Sequence, residues 1–249
     1  VRARCRAAGL TILRMSLGQR LQHLVLAASF ITLAVTGFAL KFPDSWLAKA
    51  LGSNEILRRV SHRVAGVVLL AIGAYHVVYL LTTREGRQLI KDFLPTRKDL
   101  KDVADNARYL TTTSTAKPKI GRFGYVEKLE YWSVVWGTLI MGITGLVIWF
   151  KMDVTRLLPR WTVDIAFAIH YYEAILACLA IIVWHFYHVI FDPDVYPLNP
   201  ACWNGRVSKP WHEQEHPLDQ PPSAASPPKV SGTISPNRPS DAPPPRPRP

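Results

Sequence analysis

Six of the eight histidines in this chain stand in or beside long apolar runs: His23, His62, His76, His170, His185 and His188. Histidine is costly in hydrocarbon unless it is paired, wet or bound to something. The fourth run, residues 169–190, reads IHYYEAILACLAIIVWHFYHVI. Within it His170 and His185 are fifteen positions apart, about 22 Å along a helix axis. One therefore falls near each face of a hydrocarbon core roughly 30 Å thick. Fifteen steps of about 100° leave the two side chains roughly 60° apart, so both can face one bundle interior. An imidazole at each membrane face is what a two-haem electron path needs. A pair of interfacial histidines on an ordinary span is the plainer alternative, and the other elements must decide.

Those elements are four apolar runs, about 21–40, 60–81, 129–150 and 165–190. Half of the chain is apolar, with 49% hydrophobic residues, and a formal charge of +12 lies between the blocks. A soluble basic protein would turn such charge on nucleic acid. Here the blocks make membrane topology the better account, and no nucleic-acid partner is expected. The three cysteines, Cys5, Cys178 and Cys202, lie far apart with no CxxC. That excludes a disulfide scaffold, a zinc ribbon and covalent haem attachment.

The expected fold is all-α: an integral membrane four-helix bundle with both termini inside. Lysine and arginine crowd the N-terminal segment 1–20 and the second loop 82–128, while the first and third connections carry few. The apolar run after the basic start is too long for a signal peptide core, and Met15 is a plausible start of translation. The loop 82–128 reads as one or two amphipathic helices broken near Pro95, a solvated segment able to serve as a docking surface. Residues 191–249 form a Pro-rich cytoplasmic tail, read as disordered from Asn204 onward. No convincing internal repeat is visible. On alternating helices the histidines sort into layers: His62 and His170 outside, and His23, His76, His185 and His188 inside. A random scatter would not sort in this way.

The chain resembles the di-haem cytochrome b subunits of formate dehydrogenases and nickel-iron hydrogenases, within the bacterial cytochrome b561-like group. The resemblance covers residues 20 to about 194. Its marks are RLQH and TGFAL in the first span, SHRVAG opening the second, ITGLVIW in the third, and IHYYEA with HFYHVIFD in the fourth. Each motif alone is weak, but their order and spacing are specific. The resemblance implies two non-covalent b-type haems, with His62 and His170 on the outer haem and His23 and His185 on the inner one. It also implies a multi-pass protein of the bacterial cytoplasmic membrane. Two departures stand out. The family spaces its fourth-span ligands fourteen apart, not fifteen, and His76 and His188 are additional inner histidines. His76 is the alternative inner ligand. His188, one turn past His185, reads as interfacial. Arg63 is a candidate for a haem propionate, against an ordinary interfacial cation.

A haem with two imidazoles has no open position, so it carries single electrons. The lipid-soluble partner of such a wire is expected to be a quinone, whose reduction takes up protons. Candidates for that site are His76, His188, Glu127, Glu130 and Glu173. The other terminal must be a protein, because the chain has no iron–sulfur or nucleotide motif of its own. The resemblance implies a multihaem cytochrome c or an iron–sulfur dehydrogenase subunit. The competing readings are a proton-relay transporter, which would show interrupted spans and midplane polar groups, and a membrane anchor without redox work, which would need no layered histidines.

Overall fold

The computed structural model describes residues 11–52, 54–111 and 118–219. The first ten residues of the basic segment and the Pro-rich stretch 220–249 lie outside them. Among the described residues, four helices are long and apolar enough to cross a membrane. They are α1 (Leu17–Lys41), α3 (Glu55–Thr82), α6 (Tyr125–Trp149) and a span from Trp161 to Phe191, which opens as α8 (Trp161–Leu179). Short helices α2 (Trp46–Ala50) and α7 (Lys151–Leu157) complete the first and third connections. Helices α4 (Arg84–Phe93) and α5 (Arg97–Thr111) flank Pro95 in the long loop.

All four spans begin four or five residues earlier than hydropathy places them, and in three of them a capped polar turn precedes the apolar run. Ser16 accepts from the Gln19 N–H and Gln19 accepts from the Ser16 N–H, a reciprocal cap that opens α1. Asn54 accepts from Leu57 at the start of α3. Glu127 accepts from the Gly124 N–H at 2.7 Å at the start of α6. Glu127 and Glu130, expected just before the third span, are therefore part of its first two turns.

α1 packs on α3 and α6 on α8, with α3 touching α6 between the pairs. Most of the residues that the bundle buries are small or polar, among them Ser29, Thr36 and Ala39 on α1, Ala65 on α3, Thr144 on α6 and Ala166 on α8; Leu80 and Val163 are larger exceptions. Small side chains let helices approach closely where lipid supplies no hydrophobic drive. Large apolar side chains such as Leu24, Val67, Leu139 and Ile182 point outward, as lipid-facing side chains should.

Two expectations need correction. The fourth span is not α-helical throughout: Ala180–His185 and Tyr187–Phe191 are π-helical. The all-α bundle also carries one short strand pair. β1 (Thr11–Leu13) pairs antiparallel with β2 (Arg206–Ser208), Ile12 opposite Val207. Residues 204–219, read as the start of a disordered tail, are folded, and with the residues just before them form α9 (Ala201–Asn204), β2 and α10 (Lys209–Glu215). They form a cap on the loop end of the bundle. Arg14 pairs with Glu127 at 2.8 Å and lies 3.7 Å from Asp219. Arg20 donates to the Trp203 carbonyl, the Leu218 N–H donates to Ile120, and His216 Nδ1 donates to the Gly121 carbonyl at 2.8 Å. Low apolar content hides such a segment from composition, because polar contacts to the bundle supply what a core would. Residues 11–20, 118–127 and 201–219 thus meet at one end of the bundle.

Candidate functional site

Toward the far end of the bundle, His62 of α3 and His170 of α8 stand with ring centroids 6.4 Å apart. Toward the loop end, His23 of α1 and His185 of the fourth span stand 6.3 Å apart. Two imidazoles bound on opposite sides of one metal, with bonds of about 2 Å as for zinc, would set their centroids roughly 6 Å apart.

Hydrogen bonds around three of these four rings fix their tautomers. Thr36 Oγ1 donates its one proton to the Thr32 carbonyl at 2.6 Å. It can therefore only accept from His62 Nδ1, 3.0 Å away. Thr144 likewise donates to Ile140 at 2.7 Å and accepts from His170 Nδ1 at 2.9 Å. The Glu130 carboxylate accepts from His185 Nδ1 at 3.3 Å. In all three the Nδ1 carries the hydrogen, which leaves the Nε2 lone pair bare. This is the arrangement a metal-bound imidazole takes, its other N–H held by a hydroxyl, carbonyl or carboxylate. Glycine adjoins each outer ring: a Cβ on Gly37 would lie 3.1 Å from His62 Cε1, and one on Gly145 would lie 3.3 Å from His170 Cε1.

His76 is placed differently. Its Nδ1 donates to Gln22 Oε1 at 2.7 Å, and its Nε2 accepts from the Tyr131 hydroxyl at 3.2 Å. Both nitrogens are used, and no second imidazole faces it. His188 Nδ1 donates to the Trp184 carbonyl at 2.9 Å and lies 3.7 Å from Glu130. Glu173 reaches α6, its Oε1 3.4 Å from where a Cβ on Gly137 would stand. Arg63 is exposed and stacks over Trp149 at 5.0 Å. Glu127 is engaged by Arg14 and by the helix start, so it serves the cap before anything else.

The spacing anomaly in the fourth span has a structural cause. A π-turn closes i to i+5 and so takes up one residue more than an α-turn. The π-helical stretch 180–185 lies between His170 and His185. The fifteenth residue thus occupies the place that the fourteenth would have on a regular helix.

Among the described residues no three His, Cys, Asp or Glu side chains converge on one point. A metal ion held by protein groups alone has no site there. Two facing imidazoles with bare Nε2 atoms suit a metal that brings its own equatorial ligand, as haem iron does. The residues present therefore fit haem. The sequence reading did not find Thr36, Thr144, Gln22 or Tyr131 as imidazole partners. The available signal was the equal separation of 26 residues from Thr36 to His62 and from Thr144 to His170.

Comparison with known proteins gives the family. The model of a family described as prokaryotic cytochrome b561 matches residues 14–196. The cytochrome b556(fdo) subunit of formate dehydrogenase from Escherichia coli K12 is 23% identical over 215 residues, covering 83% of this chain and 90% of the relative. The cytochrome b556(Fdn) subunit of the nitrate-inducible formate dehydrogenase of the same strain is 21% identical over 207 residues, covering 83% and 88%.

Proposed function

Because the chain belongs to the prokaryotic cytochrome b561 family, we propose that it is a membrane electron-transfer subunit holding two b-type haems, each between two histidines. His62 and His170 hold the haem of one layer; His23 and His185 hold that of the other. The single observation that carries this reading is the pair of imidazole separations, 6.4 and 6.3 Å, at two levels of one bundle. The tautomers support it, since the hydrogen-bonded Nδ1 atoms leave Nε2 for iron. His23 is the better inner ligand than His76, whose two nitrogens are already taken up by Gln22 and Tyr131.

Bound in this way, haem supplies reversible one-electron redox chemistry with no open coordination position. The protein's own groups orient the imidazoles, exclude water with apolar spans and present carboxylates at the loop end. We infer that electrons pass between a quinone pool and a partner redox protein. The partner is an iron–sulfur dehydrogenase subunit, as the formate dehydrogenase relatives suggest, or a multihaem cytochrome c. The chain is a multi-pass protein of a bacterial cytoplasmic membrane, with the cap and the loop between the second and third spans facing the cytoplasm, where lysines and arginines concentrate.

The test is the visible spectrum and haem content of the purified chain. A dithionite-reducible b-type band and two haems per chain, all extracted by acid acetone, are expected. A single haem, covalent haem, or no reducible band overturns the reading; the last outcome would favour a transporter or anchor.

A further inference from the structure

Helix α5 leaves one face without a protein partner. Leu100, Val103 and Leu110 are 75%, 45% and 74% exposed. With the exposed Ala107 they recur at steps of three and four residues, which makes one apolar stripe along the helix. Another side of α5 is occupied. Asp99 accepts from Lys128 Nζ at 2.9 Å, and Asn106 donates to the Tyr125 hydroxyl at 2.8 Å, so this side is held on the first turn of α6. A third row borders the stripe: Arg97, Lys101 and Arg108, at steps of four and seven residues and all exposed. Arg108 lies 3.7 Å from Asp105. The Arg97 and Lys101 side chains have no hydrogen bond or ion pair among the described residues.

The way α5 is held sets its direction. From Asp99 to Asn106 it advances about 10 Å along its own axis, while its contacts move only about 4.5 Å along α6, from Lys128 to Tyr125. The helix therefore lies across the end of the third span rather than alongside it. Its stripe also continues a lipid-facing surface. Leu100 and Val103 share a groove with Tyr125 and Leu129. Leu129 opens the apolar run of the third span and is 56% exposed. One turn deeper, Trp132 donates its indole N–H to the carbonyl of Phe93, the last residue of α4. Tryptophan is enriched at the membrane–water boundary, so the groove stands at that level.

We propose that α5 lies in the membrane surface, with its Leu100, Val103, Ala107 and Leu110 stripe at the acyl boundary and with Arg97, Lys101 and Arg108 holding the phosphates of acidic phospholipids. The proposal needs the membrane-spanning fold and is independent of the redox reading above. A helix of this design sinks its apolar face about 5–10 Å into the boundary between headgroups and chains. Lysine and arginine stems follow the apolar surface while their charges stay among the headgroups. The carboxylates of α5 leave the row positive: Asp99 is paired with Lys128 and Asp102 with Lys98, and Asp105 offsets Arg108 alone. The occupant of the groove must be continuous with whatever covers Leu129, and on a spanning helix that is lipid. Water would leave three large apolar side chains exposed in a row.

The experiment uses the full chain with Cys5→Ser, Cys178→Ala and Cys202→Ser, a fluorescent label on Leu100→Cys, and phosphatidylcholine bilayers in which one lipid type carries brominated chains. Brominated phosphatidylcholine should quench the label, because the bromine lies in the acyl region. At equal mole fraction brominated phosphatidylglycerol should quench about threefold more strongly, since each cation at an acidic surface favours that lipid by about fivefold and only part of the lipid around the label meets the row. Arg97→Gln combined with Lys101→Gln should bring the two lipids to equal quenching and leave the phosphatidylcholine value unchanged. With the row intact, about 1 M salt should equalise them too, and this arm does not depend on how the double variant folds. No quenching by either lipid would put the stripe in water or under a protein, a second copy included, and would overturn the proposal. Equal quenching with the row intact at low salt, or a preference that survives the double substitution or the salt, would overturn the acidic-lipid assignment.

Discussion

The hydroxyl of Thr144 accepts the Nδ1 hydrogen of His170 at 2.9 Å, having given its own hydrogen to the Ile140 carbonyl. One small side chain thus decides which nitrogen of the imidazole is free. A hydrogen bond from Nδ1 also strengthens the donor power of Nε2, which favours the more highly charged state of a bound metal.

Thr144→Val keeps the shape and removes the acceptor. The haem of the His62–His170 layer should stay bound, and its midpoint potential should rise. A net hydrogen bond of about 0.5–1.5 kcal/mol corresponds to roughly 20–65 mV for one electron. Potentiometric titration of the two haem bands should show one potential moving and the other fixed. No movement in either would mean that the Thr144 contact does not act on the ligand.

Gly37 lies against His62, with a Cβ there only 3.1 Å from the imidazole Cε1. Alanine asks the ring to yield by a few tenths of an ångström; valine asks for more than a rotamer-restricted ring can give. Gly37→Val should therefore reduce haem from two to about one per chain, with Gly37→Ala close to wild type. Haem-to-protein ratios measure this directly, and full occupancy in the valine variant would refute the close fit.

His23 and His76 differ in what surrounds them, and their alanine variants should differ accordingly. His23→Ala removes the ring that stands 6.3 Å from His185 and should leave about one haem per chain. His76→Ala removes a ring bonded to Gln22 and Tyr131 and should keep both haems while slowing quinol-driven reduction. An exchange of the two phenotypes would make His76 the inner ligand.

The cap should respond to acid. Burial is the main cause that lowers the His212 pKa below its ordinary value of 6.5, with Arg14 and His216 adding to it; Asp219, 3.1 Å away, opposes them and is outweighed. The folded cap therefore prefers neutral His212. Its contribution to stability is present above about pH 6.5 and is lost as pH falls from there toward the lowered folded value. Hydrogen exchange over residues 206–218, corrected for intrinsic rates, should quicken between pH 7 and pH 5. His212→Leu should flatten that step; an unchanged step would assign it to another group.

Much of this architecture was readable from residue types. Four apolar runs of membrane length and six histidines were enough to give a four-helix membrane bundle with histidines in two layers, because hydropathy and spacing along one helix act locally. Helix starts were missed by a few residues, since Ser16, Asn54 and Glu127 cap with polar groups that hydropathy does not count. The folded segment 204–219 was missed because its contacts with Arg14, Gly121 and Ile120 come from distant parts of the chain.

The histidine types and their depths were thus set by sequence alone, since rise per residue converts position into depth. The choice between His23 and His76 was not, because it depends on which ring stands opposite His185, and rotation about neighbouring helix axes sets that. The fourth span carries an extra residue, which its π-helical stretch takes up. Packing across helices made Thr36 and Thr144 partners of imidazoles and left Gln22 and Tyr131 around His76. Such contacts join residues 26 to 55 positions apart, and no local periodicity encodes them.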